Sequence, residues 1–229
     1  MTTDRLVKVI CFYSGPRRVR NCNPQGDAVK AVHERLREAE MEDHGYDVVG
    51  VFNGGRVLPA YTEGRWFTYT RENEGGSFGA FADAFEKMGG FYDWWMFQED
   101  DVLVTDLSIF GEAVALMKER PKVGFVAFAV ICTSPRIHAG GGFGVARVEC
   151  LRDVAKMNKG RLPSAIGNYY PALEQAEIAF TGDAVECGWE IANLPGVSPF
   201  PENWRGHESF QNHAKKYKEG ERYVYRVGL

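Results

Sequence analysis

Strand-like and helix-like segments alternate along most of this 229-residue chain. Short runs rich in β-branched and aromatic residues, of which Leu6 to Tyr13 is the first, alternate with segments whose apolar residues recur at helical spacing. Such an alternation predicts an α/β fold in which a mainly parallel twisted sheet has helices on both faces. Ligands of such sheets bind beyond the carboxyl ends of the strands, so the residues that follow each strand are the first candidates for a site.

The expected elements follow from the same patterns. Further strands are predicted at residues 46–52, 66–70, 93–98, 123–130, 142–147, 190–194 and 223–227. Helices are predicted at residues 25–41, 77–88, 106–119, 148–157, 171–187 and 208–218. Ser77 and Asp106 are the expected N-caps of their helices, because short polar side chains accept hydrogen bonds from first-turn N–H groups.

Composition excludes several classes of protein. Apolar residues make up 45% of the chain and charged residues 25%, a balance too apolar for a disordered protein. A net charge of −4 provides no global attraction for nucleic acid, which is therefore not an expected partner. No apolar run approaches the ~18 residues of a membrane helix, and the N-terminal segment lacks the features of a signal peptide. We therefore expect a cytoplasmic protein without a transmembrane segment.

The cysteines favour the same compartment. All five are dispersed along the chain, and no two of them form a CxxC pair. Such spacing predicts free thiols in a reducing environment instead of a disulfide framework or a zinc site. The cysteines are Cys11, Cys22, Cys132, Cys150 and Cys187.

Three consecutive carboxylates follow the apolar strand predicted at residues 93–98. They are Glu99, Asp100 and Asp101, and apolar residues resume with Val102. Like charges this close repel one another unless a cation joins them, and hard ions such as Mg²⁺ or Mn²⁺ combine carboxylates with phosphate oxygens and water. In an extended segment Glu99 and Asp101 share a face. A solvated acidic turn is the alternative, and the apolar flanks favour a metal site.

The strand and its carboxylates resemble the DxD motif of nucleotide-sugar-dependent glycosyltransferases of the GT-A fold. The likeness is to the large inverting family that includes bacterial rhamnosyl- and galactosyltransferases. Residues 70–80 resemble its N-x-G-x-x-G-G segment, and residues 140–147 resemble the strand whose preceding glycines let the backbone approach the donor. Residues 177–180 and 186–191 resemble its ED-x-x-L…G-W-x-I helix. The motifs occur in the family's order between residues 6 and 195.

The resemblance implies transfer of a sugar, with inversion, from a UDP- or TDP-linked donor to a carbohydrate or other hydroxyl acceptor. Mn²⁺ or Mg²⁺ would be the cofactor, held by Glu99 and Asp101 with His207 as a further ligand. Glu177 matches the family's catalytic base. The residues implied to contact the donor are Asn53, Arg71, Asn73, Gly75, Gly76, Asp100 and Gly141.

Some positions depart from the family pattern, and their interpretation stays open. Asn53 stands where the family has Asp, and Ala176 stands where it has the first carboxylate of the helix motif. The acidic motif is EDD and not DDD, so which two of its carboxylates would contact the metal stays open. Glu174 and Asp183 are further acids on the same predicted helix as Glu177. We expect two of these three acids to be surface charges, and the spacing to Gly188 and Trp189 favours Glu177 as the base. His207 is alternatively a solvent-exposed histidine.

We expect a single glycosyltransferase domain over residues 1–229. Residues 1–130 would form the nucleotide-sugar-binding half, and residues 131–229 would form the acceptor side and the C-terminal tail. Two other functions stay open. One is a sugar nucleotidyltransferase of related fold, for which residues 14–20 would form a basic loop after the first strand. The other is a non-catalytic module that binds a nucleotide sugar without transferring it.

Overall fold

The computed structural model describes residues 4–13, 45–54, 61–99, 102–104, 106–128, 131–133, 135–166, 170–194 and 223–225. The helices predicted at residues 25–41 and 208–218 lie outside these ranges, as do Asp100, Asp101 and His207. All elements and contacts below belong to the described residues.

These residues form twelve strands and four α-helices. The strands are β1 (Leu6–Tyr13), β2 (Asp47–Asn53), β3 (Tyr61–Glu63), β4 (Trp66–Arg71), β5 (Trp94–Glu99), β6 (Val102–Val104), β7 (Val123–Ala127), β8 (Ile131–Cys132), β9 (His138–Ala139), β10 (Gly144–Arg147), β11 (Glu190–Asn193) and β12 (Tyr223–Tyr225). The helices are α1 (Gly76–Met88), α2 (Ser108–Glu119), α3 (Val148–Met157) and α4 (Tyr170–Glu186), and a short 3₁₀ helix covers Gly140–Gly142.

Eight of the strands form one sheet in the order β11-β7-β10-β5-β1-β2-β4-β3. Strand β1 is parallel to β2 and β5, β2 is parallel to β4, and β7 is parallel to β11. Strand β10 is antiparallel to both of its neighbours, and β3 is antiparallel to β4. Two further pairs join β6 to β12 and β8 to β9. The mostly parallel sheet with its helices confirms the predicted α/β class.

Helices cover both faces of the sheet. Along β1, Val9 and Cys11 belong to one apolar cluster, whereas Ile10 and Phe12 belong to the other, as the alternation of side chains along a strand requires. Helices α1, α3 and α4 complete the first cluster, and α2 completes the second. The predicted arrangement of helices on both faces is therefore confirmed.

Two details of the predicted helix starts are wrong. The N-cap of α1 is Gly75, in the left-handed region at φ 77° and ψ 14°, and not Ser77. Ser77 lies in the first turn, where its hydroxyl bonds a carboxylate of another element. In α2 the cap position belongs to Leu107, although the Asp106 carboxylate one residue earlier accepts the Ser108 N–H at 3.0 Å.

Several described strands also differ from the predicted set, and the short strands β6, β8 and β9 are among those without a predicted counterpart. Strand β10 begins at Gly144, because the glycines before it form the 3₁₀ helix. Strand β3, Tyr61–Glu63, has no counterpart among the predicted strands. It is a three-residue edge strand, too short to leave a clear period in the sequence.

Helices α1 to α4 and four of the five cysteines are among the described residues. None of these helices combines the length and the apolar character that crossing a bilayer requires. The thiols of Cys11, Cys132, Cys150 and Cys187 are free. Burial raises the pKa of the Cys150 thiol, which therefore stays protonated near neutral pH.

A partly buried carboxylate between β4 and α1 gives the fold a pH-dependent contribution. Tyr69 and Lys87 each donate a hydrogen bond of 2.7 Å to the Asp83 carboxylate. Burial raises the pKa of this carboxyl, but the hydrogen bonds from Lys87 and Tyr69 outweigh burial and lower the pKa below its ordinary value. The ionised carboxylate therefore stabilises the fold above the unfolded pKa of about 3.9, and this stabilisation is lost as the pH falls.

Asp83→Asn is expected to lower the free energy of unfolding by about 1–3 kcal/mol at pH 7, because it removes a charged acceptor of two hydrogen bonds. The difference from the wild type should shrink below about pH 4. Urea unfolding at pH 7 and pH 3 measures both values. Glu86→Gln on the same helix is the control: Glu86 is 63% exposed, and its ion pair with Arg161 is exposed too, so its loss should have little effect. An equal deficit at both pH values would contradict this role.

Candidate functional site

The carboxyl ends of four neighbouring strands form the edge at which the candidate site lies. The chain runs from β1 to β2 and β4 on one side and returns to β5 on the other side of β1, which makes a switch point between β1 and β5. The crevice beyond the strand ends at such a point is the usual ligand site of an α/β sheet. Asn53, Arg71 and Glu99 end β2, β4 and β5, and Asn53 pairs with Arg71 in register.

The side chains of Asn53 and Arg71 form what we call the Asn53–Arg71 brace. Arg71 donates from Nη1 to Oδ1 of Asn53 at 2.6 Å and from Nη2 to the Glu74 carbonyl at 3.0 Å. Asn53 is 1% exposed and donates from Nδ2 to the Gly76 carbonyl at 2.6 Å and to Sγ of Cys11 at 3.2 Å. The brace therefore holds the segment before α1 against the ends of the strands. A direct contact of either side chain with a nucleotide-sugar donor stays a prediction.

Two glycines make the turn into α1 possible. Gly75 and Gly76 have φ values of 77° and 60°, in the left-handed region that other residues avoid. A Cβ atom at Gly75 would also meet the Ala165 carbonyl at 2.7 Å, so this turn packs directly on the segment that precedes α4. Asn73 is half-buried in the same segment. These three predicted donor-binding residues thus lie together at the edge, beside the brace.

Glu99 is bound by a residue that the sequence interpretation assigns to another role. Glu99 is half-buried at the end of β5, and its Oε1 accepts a hydrogen bond from the hydroxyl of Ser77, which is 4% exposed. The sequence contains no signal for this contact, because it depends on how α1 packs against β5. Ser77 is therefore a site residue that only the packing reveals.

Of the residues predicted to bind the metal, only Glu99 lies among the described residues. Asp100, Asp101 and His207 lie outside the described residues. Within the described ranges, no group of three or more His, Cys, Asp or Glu side chains is arranged to hold a metal ion. The Glu99 carboxylate is a hard oxygen donor, and in its chemistry it fits Mn²⁺ or Mg²⁺.

Helix α4 runs against the direction of the parallel strands. Ala165, shortly before α4, contacts Gly75 at the carboxyl-end edge. Beyond the other end of α4, the Glu190 N–H donates to the Lys122 carbonyl at 2.8 Å, next to the start of β7. The first half of α4 therefore lies near the edge that carries Glu99.

Glu177 lies in that first half of α4. Phe180, about one turn further along, packs on the ring of Phe97 with 5.1 Å between centroids, and Phe97 precedes Glu99 by two residues on the same strand face. A second indication comes from Cys132, which follows the carboxyl end of β7. Burial raises the pKa of the Cys132 thiol, and the charge of Glu177 raises this pKa further, so Glu177 lies near Cys132. Glu99 and Glu177 are therefore at the same edge of the sheet.

The other acids of α4 differ from each other. Asp183 is 6% exposed, and its carboxylate accepts hydrogen bonds from Arg136 at 2.5 Å and from Asn158 at 2.8 Å. The interpretation of Asp183 as a surface charge is therefore wrong; it is a buried group that ties α4 to its neighbours. Glu174 is half-buried, one turn before Glu177.

Gly142, in the 3₁₀ helix before β10, packs against helices α1 and α4. Gly142 has a φ of 61°, and a Cβ atom there would meet Cε1 of Phe78 at 2.7 Å and the ring of Phe180 at 3.5 Å. The close packing of the 3₁₀ helix on Phe78 and Phe180 therefore explains why residue 142 is a glycine. A contact of Gly141 with a donor stays a prediction.

Comparison with known proteins adds no assignment: no family model matches the chain, and no curated protein matches it significantly. Any assignment of function therefore depends on the ordered set of motifs and on the geometry of this edge.

Proposed function

We propose that the protein is a metal-dependent glycosyltransferase that moves a sugar from a nucleoside-diphosphate sugar to an acceptor hydroxyl, with inversion. The observation that carries this proposal is the shared location of Glu99 and Glu177. They are distant in sequence and belong to different motifs, yet both lie at the carboxyl-end edge of the sheet. A metal ligand and a general base that act on one substrate must both lie at the edge where that substrate binds.

The donor would bind at the start of α1. The first-turn N–H groups and the positive end of the helix dipole favour an anionic diphosphate there, and the glycines let its oxygens approach the backbone. The Asn53–Arg71 brace keeps this turn in position. Glu99 and Asp101, with His207, would hold a divalent cation, which when bound offsets the charge of the nucleoside-diphosphate leaving group.

Glu177 would act on the acceptor. Its carboxylate accepts the proton of the acceptor hydroxyl while the hydroxyl oxygen forms a bond to the anomeric carbon. The bond between that carbon and the diphosphate oxygen breaks, and the leaving nucleoside diphosphate departs from the opposite face, so the configuration inverts. A half-buried carboxylate suits this role, because a general base must be fixed in place and still be able to reach the acceptor hydroxyl.

The proposed metal role predicts binding that depends on a divalent cation. UDP or TDP at 100 times its Kd is expected to stabilise the fold by about 2.7 kcal/mol in Mn²⁺, a rise in Tm of roughly 5–10 °C, and to give no shift in EDTA. Asp101→Asn should abolish the shift. Glu119→Gln is the matched control, since Glu119 is exposed near the opposite edge, next to the Lys118 that pairs with Asp4. Equal shifts in Mn²⁺ and EDTA would refute the metal role.

A product assay separates the proposal from its rivals. The wild-type protein with a UDP- or TDP-linked sugar and Mn²⁺ should release nucleoside diphosphate, slowly to water and faster with a hydroxyl acceptor. Release of pyrophosphate from a nucleoside triphosphate and a sugar phosphate would instead identify a nucleotidyltransferase. Donor binding without release of any product would identify a binding module.

A further inference from the structure

The hydroxyl of Ser77 is directed at the proposed metal ligand Glu99. Ser77 is buried in the first turn of α1, and its Oγ–H donates to Oε1 of Glu99. Hydrogen bonds to an ionised carboxylate are shorter and stronger than those between neutral groups. A glutamate has three side-chain torsions, so one strong bond at the carboxylate removes much of its freedom at the end of β5.

The backbone around Ser77 is held from both sides. Before it, Gly76 is left-handed, and its carbonyl accepts a hydrogen bond from Asn53 at 2.6 Å. After it, the Phe78 ring packs on Phe180 with 5.3 Å between centroids. The Ser77 hydroxyl is therefore presented to β5 from a rigid turn, as a group that orients a ligand must be.

We propose that Ser77 is a positioning residue that orients the Glu99 carboxylate for the divalent cation. This inference rests on the proposed function. Ser77 acts through Glu99, in the way that outer partners of metal-binding carboxylates orient them and raise metal affinity. It also gives the Asn53–Arg71 brace a definite task, because the brace holds the turn from which Ser77 reaches Glu99.

Mn²⁺ affinity without nucleotide, measured by electron paramagnetic resonance and by calorimetry, tests this role apart from catalysis. Ser77→Ala is expected to bind Mn²⁺ about 10- to 100-fold more weakly than the wild type, while circular dichroism shows that the variant is folded at the temperature of the measurement. Ser108→Ala is the matched control: that hydroxyl also donates to a carboxylate at a helix start, Asp106 at 2.7 Å, and its loss should leave Mn²⁺ affinity unchanged. If Ser77→Ala does not fold, Ser77→Cys, with similar volume and a weak donor, takes its place.

A double-mutant cycle tests whether the effect passes through Glu99. In the Glu99→Gln background, Ser77→Ala should change Mn²⁺ affinity less than about twofold. An effect as large as in the wild type would overturn the inference, and so would a Ser77→Ala protein with wild-type Mn²⁺ affinity. A wild-type protein that binds no Mn²⁺ would refute the metal role itself, and this inference with it.

Discussion

Glu177→Gln is expected to lower the rate of sugar transfer by at least about 10²-fold while donor affinity stays near normal. Glutamine keeps the volume of the side chain but cannot accept the proton of the acceptor hydroxyl. Donor affinity should persist, because the proposed donor contacts come from the turn before α1 and from the acidic residues after β5. The measurements are transfer to a hydroxyl acceptor, or donor hydrolysis as a first proxy, and the Kd of the nucleoside diphosphate.

The same helix supplies the controls for this variant. Glu174→Gln, one turn away, should transfer sugar at close to the wild-type rate. Asp183→Asn should instead lower the free energy of unfolding, by about 2–3 kcal/mol, because Asp183 is buried and accepts hydrogen bonds from Arg136 and Asn158. If Glu174→Gln is inactive and Glu177→Gln is active, the base does lie on α4, but it is Glu174 and not Glu177. If all three variants transfer sugar normally, none of these three carboxylates is the base.

Gly79→Ala is expected to lower the free energy of unfolding by about 2–3 kcal/mol, although alanine is the better helix former. A Cβ atom on Gly79 would lie 2.0 Å from the Glu74 carbonyl oxygen and 3.2 Å from Nη1 of Arg71. That carbonyl is itself an acceptor for Arg71, so relief of the clash must move the brace. Urea unfolding measures the loss.

Gly111→Ala is the matched control, and its effect should have the opposite sign. Gly111 is exposed within α2, and an added Cβ atom meets nothing within 4 Å. Alanine there should raise the free energy of unfolding by about 0.5–1 kcal/mol through its helix propensity. A Gly79→Ala protein as stable as Gly111→Ala would show that the turn before α1 can shift freely.

Local patterns in the sequence predict most of the individual elements. Helix α3 begins and ends at the predicted residues, because its apolar stripe is regular and ends in polar residues. The edge that carries Asn53, Arg71 and Glu99 is also predictable, since each residue ends or follows a strand and parallel strands share an edge.

The bonds among the site residues cannot be read from the sequence. The general preference for serine at an N-cap favours Ser77, but the left-handed turn that joins β4 to α1 requires glycine at the cap. Similarly, the polar side chain of Asn53 suggests a ligand contact, whereas its burial against Gly76 depends on the packing of α1. Both differences arise from tertiary packing, which a single sequence does not encode locally.

The antiparallel strand β10 has a consequence for the order in which the nascent chain can fold. Strand β7 is buried along its whole length, and both of its partners in the sheet, β10 and β11, come later in the chain. At about 5–20 residues synthesised per second, β7 waits on the order of seconds for β10 to emerge. During that interval an apolar strand has no described neighbour on either side, and the edge of β5 is open as well. Unpaired apolar edges favour aggregation, so chaperones that bind apolar segments would protect newly made molecules during this interval.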